Sequence, residues 1–300
     1  QRAVAVDGRG RRDGPNESYL LALDPADGKT LWRQIRPSDA VAESREAFST
    51  PIPYTHDGRT ELLVLGGDCL TGHDLQTGRE RWRWGSWNPS RVGHWRLVPS
   101  PVGGAGIILA CAPKREPLFA IHANGSGSLG DAAVAWKSDQ ARELTADVPT
   151  PLFYDGDFFV LSDLRKTLSR VEPQTGKVKW TIETPGRAKY EASPTGADGR
   201  IFLINFQGDV TVVAAASGDV LRTVAMGEPG DEAIRSTLAV ARGQLFIRTN
   251  RKLFCMGKDT EVAEFRSSSA LSVHGTTTDS ASSAGMFSRG VHVAESLSGL

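Results

Sequence analysis

Apolar residues in this chain come in short runs closed by turn-forming residues. ELLVLGG (61–67), GIILACA (106–112), FFVLS (158–162) and RIFLINF (200–206) are each bounded by Gly, Asp, Asn or Pro. None continues with the three-to-four-residue spacing of an amphipathic helix, so the pattern predicts short β-strands. A second pattern is laid over the first. ALDPADGKTLW (22–32), GHDLQTGRERW (72–82) and RVEPQTGKVKW (170–180) each place Gly four residues before Trp, at Gly28/Trp32, Gly78/Trp82 and Gly176/Trp180. Gly suits a turn that needs positive φ, and the strand that follows carries Trp to a buried face.

The copies belong to a longer period. Pro51, Pro101, Pro151 and Pro194, with Leu238 in the equivalent place, stand 50, 50, 43 and 44 residues apart, and a Ser or Thr precedes each. Each period holds about four short strands and no helical stretch. A repeat of 40–50 residues with four strands per unit predicts a β-propeller, an all-β ring of four-stranded antiparallel blades that bury their faces against one another. About six units are visible over residues 1–258, the first without its opening strand. Trp32, Trp82, Trp136 and Trp180 are expected to pack between blades, and Arg222 stands where the fifth unit would have its Trp. Residues 259–300 are Ser/Thr-rich without a repeat, so a disordered tail is expected there.

Composition narrows the function classes. Lys plus Arg and Asp plus Glu number 35 each, so no overall field favours nucleic acid, although a local patch is compatible with neutrality. The interleaved Trp82, Trp84, Trp87, Trp95 and Arg81, Arg83, Arg91, Arg96 would suit a nucleic-acid or glycan surface, and the neutrality argues against it. There is no apolar run long enough for a membrane span and no basic-then-apolar leader. Cys69, Cys111 and Cys255 lie far apart without metal-ligand spacing, and read as buried thiols, with one disulfide as the alternative. Asp57-Gly58, Asp155-Gly156 and Asp198-Gly199 read as hairpin turns rather than cation ligands.

The unit Ser/Thr-Pro strand, DG turn, short strand, ALDxxTGxxxW resembles the pyrroloquinoline-quinone-like (PQQ-like) propeller repeats, through STP at 49–51, ALDPADGKTLW at 22–32 and EPQTGKVKW at 172–180. The resemblance implies a ring of seven or eight blades, usually extracytoplasmic and so periplasmic, that is either a PQQ-dependent dehydrogenase or a cofactor-free scaffold. Dehydrogenases of that kind carry adjacent cysteines and Ca2+-binding carboxylates, and neither pattern occurs here. The reading that follows is a non-catalytic scaffold without cofactor that binds a protein or small ligand at one rim. A PQQ- and Ca2+-dependent dehydrogenase of alcohols or sugars is the alternative. The residues before each Ser/Thr-Pro are the candidate rim: Glu46, Phe48, His94, Trp95, Arg96, Asp147, Lys189, Tyr190, Glu191 and Arg235. His94 lacks the nucleophile and orienting partner that a catalytic base needs, and no GxSxG or HExxH motif accompanies it.

Overall fold

The computed structural model describes residues 18–85, 87–114, 116–138 and 144–257. The residues before 18 and the tail from 259, expected to be disordered, lie outside the described residues. Six sheets follow one another along the chain. The first contains β1 (Tyr19–Leu23) and β2 (Thr30–Ile35). The second is β3 (Ile52–His56), β4 (Arg59–Gly66), β5 (Cys69–His73) and β6 (Glu80–Trp84). The third runs β7 (Val102–Gly104), β8 (Ile107–Cys111), β9 (Leu118–His122) and β11 (Val134–Lys137). Its short β10 (Gly127–Ser128) leaves this sheet and pairs in parallel with the outer edge of β6. The fourth is β12 (Leu152–Tyr154), β13 (Asp157–Ser162), β14 (Thr167–Val171) and β15 (Val178–Glu183). The fifth is β16 (Thr195–Ala197), β17 (Arg200–Ile204), β18 (Asp209–Ala214) and β19 (Val220–Ala225), and the sixth is β20 (Ala239–Ala241), β21 (Gln244–Arg248) and β22 (Leu253–Met256).

Apart from β10, the chain-order neighbours within each sheet pair antiparallel, as successive hairpins require. The first turn of each of the second to sixth units has positive φ at both central residues, for example Asp155 (49°) and Gly156 (78°), the signature of a type I′ hairpin. Alternation along the strands explains the core. In β8, Ile108 packs with Leu63 and Leu65 of the second sheet, whereas Ile107 and Leu109 pack with Phe158 and Val160 of the fourth. Successive side chains point to opposite faces, so each middle sheet is apolar on both sides and buried between two neighbours.

Three further devices lock sheet to sheet. The Trp side chains behave as a bridge to the next unit: a β-carbon on Gly78 would meet the indole of Trp32 at 2.4 Å, and one on Gly176 the indole of Trp136 at 2.6 Å. Each indole N–H also donates to the next unit's turn, Trp32 to Leu75 O at 3.3 Å and Trp136 to Pro173 O at 2.6 Å, and Trp180 likewise to Ala216 O at 3.1 Å. Trp82 differs. Its indole N–H donates to buried Glu61 within its own sheet at 2.9 Å, and the ring lies against Gly125 in the third unit's insertion, where the repeated Gly turn is missing.

On the inner strands, the hydroxyls of Tyr54 and Tyr154 accept the turn amides of Gly106 (2.9 Å) and Gly199 (2.8 Å) one unit on. The Ser/Thr preceding each proline forms the third device. The amide of Thr50 donates to Ser100 Oγ (2.8 Å), that of Ser100 to Thr150 Oγ1 (3.0 Å), that of Thr150 to Ser193 Oγ (3.0 Å) and that of Ser193 to Thr237 Oγ1 (3.1 Å). A continuous hydroxyl ladder therefore joins five inner strands. The first and second sheets have one more tie. Buried Arg36 donates to Thr71 Oγ1, Gly66 O and Cys69 O at 2.7–2.8 Å and holds the β4–β5 turn, with no carboxylate in ion-pair reach among the described residues.

Candidate rim site

The loops that enter the inner strands lie at the same end of the sheets as the β4–β5, β13–β14 and β17–β18 turns. Two of these loops are fastened to each other. Ser44 is 1% exposed in a 3₁₀ turn, Ala42–Arg45. Its Oγ donates to Val92 O (2.5 Å) and accepts the Trp95 amide (2.9 Å). Asn88 closes the second loop on itself through Val92 and donates to Asp68 Oδ2 at 2.7 Å. Burial pushes the Asp68 carboxyl upward, partly opposed by that Asn88 bond. The Phe48 amide donates to Leu97 O (2.8 Å) in a parallel bridge, so the loops end side by side.

On this platform Arg96 lies 3.2 Å from Glu43 and 3.9 Å from Glu46. Trp95 is half-buried against the core of the second and third sheets, and His94 is exposed. Phe48 is 65% exposed, an unusual cost for so large an apolar group on a fixed backbone. Among the described residues His94 has no acid or hydroxyl in hydrogen-bond reach, so nothing orients it as a base.

Asp147 stands apart from the platform. Its Oδ1 accepts the Lys114 amide (2.7 Å) while its own amide donates to Asp163 Oδ1 (3.1 Å). Burial raises the Asp163 carboxyl, with the Asp147 charge adding to the effect. Lys189, Glu191 and Arg235 form a third group. Arg235 is 2.7 Å from Glu191 and its guanidinium stacks 4.8 Å from the Phe206 ring centre, and the Lys189 carbonyl accepts the Phe206 amide. Tyr190 is not on the rim surface. It is 1% exposed in the core between the fourth and fifth sheets, with its hydroxyl on Pro185 O at 2.9 Å. Adjacency in sequence placed it beside Lys189 and Glu191, but the backbone turns its side chain inward.

Sequence reasoning missed Ser44, Asn88, Asp68 and Asp163, which fasten the rim loops. The one available signal was an Asp soon after the second strand of the unit, in GGDC (66–69) and LSDL (161–164).

Among the described residues no three His, Cys, Asp or Glu side chains converge as a metal site. Cys69, Cys111 and Cys255 are free thiols on three different sheets, the first two buried as expected and the third exposed. Among the described residues no acidic cluster of the kind a quinone-bound Ca2+ needs is brought together.

Four-stranded antiparallel sheets joined face to face, with Trp on the next unit's Gly turn, define a β-propeller of PQQ-like repeats. The chain belongs to the family whose model is described as outer membrane protein assembly factor BamB, which matches residues 16–93 and 128–268. Solved structures share the fold at low identity. BamB from Moraxella catarrhalis is 13% identical with a TM-score of 0.53, covering 86% of this chain and 69% of its own. Saccharomyces cerevisiae Sqt1 is 12% identical with a TM-score of 0.55, covering 77% of this chain and 63% of its own. Quinohemoprotein alcohol dehydrogenase from Comamonas testosteroni is 13% identical with a TM-score of 0.54, covering 77% of this chain, which spans only 48% of the enzyme. A search of curated protein sequences finds no match. Among the described residues no helix is long and apolar enough to cross a membrane.

Proposed function

We propose that this propeller is a non-catalytic, extracytoplasmic scaffold that holds a protein partner on the rim carrying the inner-strand entry loops. The observation that carries this reading is the platform itself. Two loops are fastened through Ser44 and Asn88, and present exposed Phe48 beside Trp95 and Arg96. Aromatic and Arg side chains on a pre-ordered backbone are the groups that dominate protein-binding energies. The family description, an outer-membrane assembly factor, supports a protein partner and a periplasmic setting.

The test places a photo-crosslinking amino acid at position 48 or 95, with position 27 on the opposite end as control. Adducts to a defined envelope protein from 48 and 95 but not from 27 are expected. Equal labelling from all three positions, or none from the rim, overturns the reading. Dye reduction by the chain with added quinone, Ca2+ and an alcohol would instead favour the dehydrogenase.

A further inference from the structure

The chain is neutral overall, with 35 basic and 35 acidic residues, and several of its rim cations are matched. Arg91, Arg96, Arg235 and Lys252 each have a carboxylate within 4 Å, at 3.5, 3.2, 2.7 Å and closer. Four neighbouring cations on one stretch of the rim lack such a partner. Arg165 and Lys166 occupy the β13–β14 turn, and Arg187 and Lys189 lie on the loop after β15. Arg165, Arg187 and Lys189 are exposed, and among the described residues no carboxylate lies in ion-pair reach of any of the four. Lys166 Nζ donates to the Arg187 carbonyl, which leaves its charge unopposed.

The turn and the loop are also held in place. The Thr184 amide donates to Lys166 O (2.8 Å), the Arg165 amide to Ser162 Oγ (3.3 Å), and the Tyr190 hydroxyl pins the loop at Pro185 O (2.9 Å). The nearby acids are otherwise engaged or set back: Asp163 is buried on the Asp147 amide, Glu191 pairs with Arg235, and exposed Glu183 ends β15. Four like charges gathered on a fixed backbone repel one another, a cost that an incoming anion removes.

We infer that Arg165, Lys166, Arg187 and Lys189 form a docking point for an acidic segment of a protein partner, which deepens and rests on the reading of this rim as a partner surface. A flat anionic surface such as a lipid bilayer suits the site less well. The same rim carries Glu43, Glu46, Glu228 and Glu232, which a membrane would repel, whereas a peptide of local reach meets only the cations. Guanidinium groups also offer the paired donors that carboxylates accept.

The experiment uses a short fluorescein-labelled Asp/Glu-rich peptide and the whole chain, read by anisotropy. The charge-reversed variant R165E/R187E/K189E is compared with R79E/R242E, two exposed arginines elsewhere on the molecule. The peptide is expected to bind the wild type in a salt-sensitive manner and to weaken about tenfold or more in the first variant only. R165Q/R187Q/K189Q, which adds no repulsion, should weaken binding in the same sense. Circular dichroism checks that each variant is folded. Equal weakening in R79E/R242E, or tighter binding of phosphatidylglycerol vesicles than of the peptide through the same residues, overturns the inference. Crosslinking from position 48 that persists in the triple variant would leave the rim reading standing while the acidic docking point fails. Peptide binding without any rim adduct would do the reverse.

Discussion

Asp74 orders an outer turn by itself. Its Oδ1 accepts the amides of Gln76 and Thr77 at 3.0 and 2.9 Å and the Thr77 hydroxyl at 2.9 Å, and Arg81 reaches its other oxygen. Hydrogen bonds from the Thr77 hydroxyl and amide, then from Arg81, pull its carboxyl down to about 2. A carboxyl lowered on folding contributes stability above its unfolded value of 3.8 and loses it as pH falls toward 2. Urea unfolding of Asp74→Asn against wild type should therefore show a stability gap at neutral pH that closes between about pH 4 and 2. A gap independent of pH would mean that the turn owes nothing to the charge. His73, one residue earlier, works in the same sense but at a higher pH. Burial holds its imidazole below the ordinary value, so protonation of the unfolded chain lowers stability as pH falls through the range of a free histidine.

At the level of the element, the outer turn and its neighbour's Trp act as one part. Gly176 has φ of 70°, and a β-carbon there would enter the Trp136 indole. Gly176→Ala should cost more than the roughly 1 kcal/mol of a left-handed alanine, because the indole must also move. Gly156→Ala is the comparison: it has similar φ but open space around the new atom, and should show only the conformational part in thermal unfolding.

This part of the fold was readable because its signal is local: Gly and Trp lie four apart, and the DG turns announce the hairpins. The hydroxyl ladder was readable only as a recurring Ser or Thr before proline. Its partners are 43–50 residues away, and hydrogen bonds at that separation leave no periodic mark. Trp82 repeats the motif in sequence but not in contact, since the third unit replaced its Gly turn with an insertion. For the rim, the position of the loops was legible and the direction of individual side chains was not. Irregular backbone has no period from which an inward Tyr190 could be told from an outward Glu191.

Across the whole molecule, burial is uneven. The middle sheets have apolar residues at 0% exposure on both faces, such as Phe158 and Phe159. At one end of the series Leu21, Leu23 and Leu31 are 41–61% exposed, and at the other Leu253 is 69% exposed. In a repeat protein stability is close to a sum of nearest-neighbour interfaces, so units with one neighbour among the described residues open first. Amide exchange should be fastest in β1–β2 and β20–β22 and slowest in β8, β13 and β17. Uniform protection across all six sheets would show that the described sheets unfold as a single unit.

The ladder from Thr50 to Thr237 has one more consequence. Its rungs have the same length whether the intervening chain runs 50 residues or 43, so the frame is indifferent to how much sequence is spent between rungs. Loops at the rim can thus be lengthened, shortened or exchanged between units without disturbing the inner strands. Recognition can diversify on one face while the ring that supports it keeps its dimensions.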